Sequence, residues 1–215
     1  MCNPPTALPC IAPIQFFSQD YSPPRLRTPD IEGGTVFLFE KNHKRYLITA
    51  KHVWDGMIAE SERNAGRQHT VSVIDGAGRL LGLWKDEIAL RSDEVDIVVL
   101  TPTWLASGLS GLEFYNGDVA TVSAGDVVAT WGYPKTSRTV HDSTVTCEWE
   151  ELSGEATSPV NQRFKFTTET ACDIGGFSGA PVFRADGKLV GLVSEGSSTL
   201  GIVMCCEVQS VIESL

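Results

Sequence analysis

The segment Gly175-Gly176-Phe177-Ser178-Gly179-Ala180-Pro181 sets one serine among three glycines. Glycine takes sharp, left-handed turns without steric cost, and such a turn can aim several N–H groups at one point, as an oxyanion requires. A plain Gly-Ser loop between strands has the same composition, so this segment alone leaves both readings open. It does not complete GxSxG and no helical pattern follows, which argues against the strand-to-helix elbow of an α/β-hydrolase. The run Tyr46-Leu47-Ile48-Thr49-Ala50-Lys51-His52-Val53 ends an apolar strand on a histidine. Element ends are where a rigid scaffold presents a titrating group to a cleft, although a histidine at the edge of a core would read the same way. The other histidines, His43, His69 and His141, lie in a charged turn, after a polar loop and in a Thr/Ser-rich stretch. Asp96 interrupts Val95-Asp96-Ile97-Val98-Val99-Leu100. A carboxylate in apolar surroundings needs a partner, and an imidazole Nδ1–H is one whose tautomer the pairing would fix. Asp93, Glu94 and Asp96 together would also suit a solvated acidic turn before a strand.

These residues need elements to hold them. From Gly33 onward short β-rich runs follow closely: Thr35–Glu40, Tyr46–Thr49, His69–Ile74, Asp96–Leu100, Asp126–Trp131, Ser143–Glu150, Arg163–Thr168, Pro181–Arg184, Leu189–Ser194 and Gly201–Cys205. Asp75-Gly76, Gly117-Asp118 and Asp186-Gly187 mark turns between them. Many short strands with little helix indicate an all-β barrel or sandwich. Val53–Arg63 reads as a short helix, and Val208, Val211, Ile212 and Leu215 form the apolar stripe of a C-terminal helix. Residues 101–125, rich in Gly and Ser, read as the connector between two halves. Seven of the eleven prolines fall in residues 1–30, a density that predicts an extended arm with neither helix nor interior strand.

Composition excludes several classes. Seventeen basic against 27 acidic side chains give a net charge of −10, which disfavours a nucleic-acid partner. No apolar run approaches the length of a membrane span, and the start of the chain lacks the charged and apolar regions of a secretory signal. Cys2, Cys10, Cys147, Cys172, Cys205 and Cys206 match no zinc-ligand spacing, so no metal is expected and a reducing cytoplasm is the expected location.

In order along the chain, Thr49-Ala50-Lys51-His52-Val53, Asp96-Ile97-Val98-Val99-Leu100 and Gly176-Phe177-Ser178-Gly179-Ala180-Pro181 resemble the motifs of the trypsin-like (chymotrypsin-fold) serine peptidases, their compact intracellular and bacterial branch in particular. The resemblance covers roughly residues 33–212. It implies two six-stranded antiparallel β-barrels within a domain of residues 31–215, about 31–105 and about 115–215, with a catalytic crevice between them. His52 and Asp96 would come from the first barrel and Ser178 from the second, and the N–H groups of Gly176 and Ser178 would form the oxyanion hole. The resemblance also implies that Gly191-Leu192-Val193-Ser194-Glu195-Gly196 pairs with the substrate backbone. Ser194 would support the aspartate, Glu195 would face the substrate, and Gly196 would leave room for its side chains. Cys172 aligns with the base of the primary specificity pocket; lacking an acid there, the pocket suits a small or apolar residue. The implied activity is hydrolysis of protein or peptide substrates without a cofactor.

Two departures bear on control. Secreted relatives pair a freed N-terminal amine with an acid immediately before the nucleophile, where this sequence has Phe177. Their expected disulfides are missing as well. Regulation is therefore expected from the arm or a partner protein, if the enzyme is not always competent. A non-catalytic double barrel that binds peptides, and an esterase using the same three residues, are the rival readings.

Overall fold

A computed structural model describes residues 10–21, 24–27, 33–63, 69–107, 110–141, 144–168 and 173–215. Eight strands make the first sheet: β1 (Ile11–Tyr21), β2 (Pro24–Arg27), β3 (Gly34–Lys41), β4 (Lys44–Ala50), β5 (His69–Ile74), β6 (Leu80–Leu83), β7 (Ile88–Ser92) and β8 (Ile97–Leu100). They pair antiparallel in the order β6-β5-β1-β3-β4-β8-β7, with β2 folded back on β1. Laid flat, that path would hold its two edge strands roughly 29 Å apart. Residues 84–87 alone join β6 to β7, and such a link reaches at most about 17 Å. The sheet must curl.

The second sheet runs β12-β9-β14-β15-β16-β13, all antiparallel. Its strands are β9 (Val127–Gly132), β12 (Glu150–Glu155), β13 (Arg163–Thr167), β14 (Pro181–Arg184), β15 (Leu189–Ser197) and β16 (Ile202–Glu207). The Thr157 N–H donates to the Lys165 carbonyl at 2.8 Å and Ala156 bridges Phe166, which brings the end of β12 against β13. A separate hairpin pairs β10 (Thr139–His141) with β11 (Thr144–Thr146). The molecule is thus two curled antiparallel sheets, the second with the expected six strands and the first with eight.

Burial explains the arrangement. In β3 the six residues from Gly34 to Phe39 are all buried, as a strand covered on both faces must be, whereas β13 alternates buried Phe164 and Phe166 with exposed Lys165 and Thr167. Phe183 of β14 packs into the same core as the first sheet, its ring 6.2 Å from Phe37 of β3 and 5.2 Å from Tyr115 of the connector. Residues 101–125 do link the two sheets, and the Tyr115 hydroxyl donates to the Gly187 carbonyl at 3.0 Å.

The exclusion of interior strand from the proline-rich start is corrected by β1. It is paired with β3 over residues 11–14 and with β5 over residues 14–18, and Ile11, Ala12, Ile14, Phe16 and Phe17 are buried. Proline density averaged over the stretch hid the proline-free window 14–22. Pro13 stands one residue before the β5 ladder begins, where one side of the strand has no hydrogen bond to lose. Residues 1–9, 22–23 and 28–30 lie outside the described residues. The short strands β2, β6 and β7 carried too little pattern to be read, and the expected Ser143–Glu150 strand is interrupted between β11 and β12.

Among the described residues two α-helices complete the fold. α1 (Lys51–Arg63) begins two residues before the predicted patch and buries Val53, Trp54 and Met57. α2 (Gln209–Glu213) follows β16, yet Val208, Val211 and Ile212 dock into the core of the first barrel. There Lys41 Nζ donates to the carbonyls of Ile212 at 2.7 Å and Glu213 at 3.2 Å. Among the described residues no helix is long and apolar enough to cross a membrane.

Candidate active site

β4 ends at Ala50 and α1 begins at Lys51, so His52 stands at a strand–helix junction. Asp96 lies just before β8 with φ +52°, a left-handed conformation that a short polar side chain tolerates. Its carbonyl accepts the Lys51 N–H at 2.9 Å, which laces the two junctions together. His52 Nδ1 and Asp96 Oδ2 are 2.7 Å apart, the His52 backbone N–H donates to Oδ1 at 3.0 Å, and the Ser194 hydroxyl donates to Oδ2 at 2.9 Å. Burial pushes the Asp96 carboxyl up, but these donors outweigh it and hold the group below its ordinary 3.8. An ionised carboxylate against Nδ1 selects the tautomer with the proton there, which makes Nε2 the basic nitrogen.

Ser178 sits on backbone that only glycines allow. Gly176 and Gly179 have φ +96° and +90°, and a Cβ at either would collide with backbone, the Tyr133 carbonyl oxygen in one case and that of Thr35 in the other. The Gly175 carbonyl accepts the Lys135 N–H at 2.8 Å and the Phe177 carbonyl accepts the Ala180 N–H at 2.7 Å. In a trans peptide the C=O and N–H point oppositely. The N–H groups of Gly176 and Ser178 therefore face away from those partners, and neither donates to another described residue. Phe177 is fully buried in the second core. The Ser178 hydroxyl donates to the Ser194 carbonyl at 3.0 Å.

A cleft of about 320 Å³ gathers His52, Gly176, Ser178, Ser194, Glu195 and Gly196 along its walls. Glu195 is exposed, with Arg163 Nη1 3.9 Å from its carboxylate. Gly196 stands where no side chain fits: a Cβ there would meet Ile174 Cγ2 at 2.7 Å and the Ile202 carbonyl oxygen at 2.8 Å. Ile174 was not singled out by sequence, although it is the one large apolar residue between Asp173 and Gly176. Cys172 lies outside the described residues. Thr35 and Arg138, which brace the serine loop, were also missed. Among the described residues no cluster of His, Cys, Asp or Glu could hold a metal ion. Chemically, the cleft presents a hydroxyl, an imidazole backed by a carboxylate, and two N–H donors.

A profile of the trypsin-like peptidase domain matches residues 34–192. The chain belongs to the trypsin-like peptidase family. A sequence comparison with curated proteins finds no match. Among solved structures, the serine endoprotease of Yersinia pestis superposes with a TM-score of 0.60 at 17 % identity, covering 96 % of this chain and 61 % of its own. The MamO protease domain of Magnetospirillum magneticum gives 0.57 at 15 % identity, covering 98 % of this chain and 97 % of its own. An inactive mutant of Rv3671c from M. tuberculosis gives 0.57 at 14 % identity, covering 97 % and 85 %. At such identities the likeness is one of fold. The trypsin-like profile stops at Leu192, so it does not reach Ser194, Glu195 or Gly196.

Proposed function

We propose that this trypsin-like peptidase is a serine endopeptidase with His52, Asp96 and Ser178 as its catalytic triad. The observation that carries the reading is the 2.7 Å pairing of His52 Nδ1 with a three-donor carboxylate, on a ring that shares its cleft with Ser178. His52 Nε2 takes the Ser178 Oγ proton as Oγ attacks the peptide carbonyl, then returns it to the leaving amine. Water repeats the sequence on the acyl-enzyme. Asp96 fixes the ring and stabilises the imidazolium, while the N–H groups of Gly176 and Ser178 receive the oxyanion. The hydroxyl, bonded here to the Ser194 carbonyl, must turn about χ1 toward Nε2 for that transfer.

Substrate binding follows from β15. Its ladder with β14 stops at Leu192, whereas its pairing with β16 continues to Ser197. Ser194-Glu195-Gly196 therefore offers one open edge to an extended peptide. A small residue on the acyl side suits the space that Ile174 leaves. The free thiols Cys147, Cys205 and Cys206 support a reducing, cytoplasmic setting.

Wild type should be labelled by a fluorophosphonate probe, and Ser178→Ala should lose all labelling. Equal labelling of the two would remove Ser178 from the role and leave the double barrel as a peptide-binding surface.

A further inference from the structure

An oxyanion hole built from glycine peptides has a weakness. Gly176 can rotate through several backbone basins at little cost, and a flip of the 175–176 peptide would turn a carbonyl oxygen into the cleft in place of an N–H. Something must hold that plane. The Gly175 carbonyl is tied to the Lys135 N–H at 2.8 Å, so the peptide is as fixed as the segment 133–135 beneath it. That segment is fastened on both sides of one residue. The Tyr133 N–H donates to Thr35 Oγ1 at 3.1 Å, and the Tyr133 carbonyl accepts from Arg138 Nη2 at 2.9 Å.

Thr35 is fully buried, and its one hydroxyl serves two partners. While accepting from Tyr133, it donates to the Gly176 carbonyl at 2.9 Å, and the Thr35 backbone N–H donates to the Ser178 carbonyl at 2.9 Å. Arg138 reaches further. Nη1 donates to the Ile14 carbonyl at 3.0 Å and to Gln15 Oε1 at 2.6 Å, and Nη2 also donates to the Gly34 carbonyl at 2.8 Å. Among the described residues no carboxylate pairs with this guanidinium; Nη1 and Nη2 are set against oxygens of β1, β3 and Tyr133, and the buried Nε has no hydrogen-bond partner among the described residues. Burial pulls it down to about 10, so it stays charged at neutral pH.

The geometry points to Thr35 and Arg138 as positioning residues that lock the oxyanion loop in its working conformation by bolting it to the first barrel. Phe177, buried in the second core, holds the loop from below, and the polar lock from Thr35 and Arg138 holds it from the side. This inference rests on the serine-peptidase reading and assigns what keeps that site assembled.

The test compares Thr35→Val, which keeps the shape and loses both hydroxyl bonds, with Thr35→Ser, which keeps them. Hydrolysis of a small peptide anilide should show kcat falling about 10²-fold in Thr35→Val, the scale of one lost oxyanion donor, with KM within about twofold of wild type. Thr35→Ser should restore most of the rate. Arg138→Lys keeps the charge but cannot span four oxygens, and it should show the same split; it serves if Thr35→Val fails to fold. Wild-type kcat in either folded variant overturns the lock, as does a loss confined to KM. If wild type itself neither hydrolyses the anilide nor takes the fluorophosphonate, the peptidase reading fails instead.

Discussion

Ile174 lines the cleft beside Gly196, its Cγ2 2.7 Å from where a Cβ on that glycine would stand, and the proposed peptidase reading makes it the wall a substrate side chain meets. Replacing Ile174 with Ala should raise kcat/KM for substrates with Leu or Phe on the acyl side by about tenfold or more relative to Ala, since each methylene accommodated changes selectivity on that scale. The ratio across a series of peptide anilides measures it, and an unchanged ratio would mean the limiting wall lies elsewhere. His52, Asp96 and Ser178 were legible because each breaks a local pattern: a titrating group at a strand end, a carboxylate in an apolar run, a serine among glycines. Ile174, Thr35 and Arg138 break none. Thr35 acts on Gly176 from 141 positions away and Arg138 on Ile14 from 124, so nothing in their own neighbourhoods announces them.

At the scale of elements, the turn between β5 and β6 is held by one carboxylate. Asp75 Oδ1 accepts the N–H groups of Ala77 and Arg79 at 3.0 and 2.9 Å, and Oδ2 accepts Arg79 Nε at 2.7 Å. Asp75→Ala should lower stability by about 2 kcal/mol, the worth of hydrogen bonds to a buried charge, seen as a lower urea midpoint at unchanged slope. A midpoint within error of wild type would refute it. The Asp75-Gly76 turn was readable from residue types alone, as were the longer strands and the stripe of α2. β1 was not, because proline counting overrode an intact hydrophobic window whose neighbours, β3 and β5, come later in the chain. The docking side of α2 was equally hidden: its stripe foretold burial, and only the tertiary structure makes the first barrel the host.

Across the whole molecule, Asp75 and Asp96 are both held below 3.8 by their donors, despite burial that pushes each the other way. A carboxyl depressed in the folded state adds stability that is complete above its unfolded value and lost as pH falls through the folded one. Stability should therefore hold from neutrality to about pH 4 and drop below 3.8, as urea titrations at stepped pH would register. A flat profile down to pH 2 would contradict these pairings. The double barrel was implied by motif order, since short strands alone fit a sandwich equally well. The eight-stranded first sheet was beyond reach while β2, β6 and β7 stayed unread.

β1 and α2 both end up on the first barrel, although β16, the strand directly before α2, belongs to the second. Topologically the second barrel is an excursion between two segments of one host, clasped by Lys41 on the final carbonyls of α2. Tension applied through the two ends would consequently peel open the host first. The inserted ring, sealed by its own β12–β13 contact, would feel the load only after the clasp had gone.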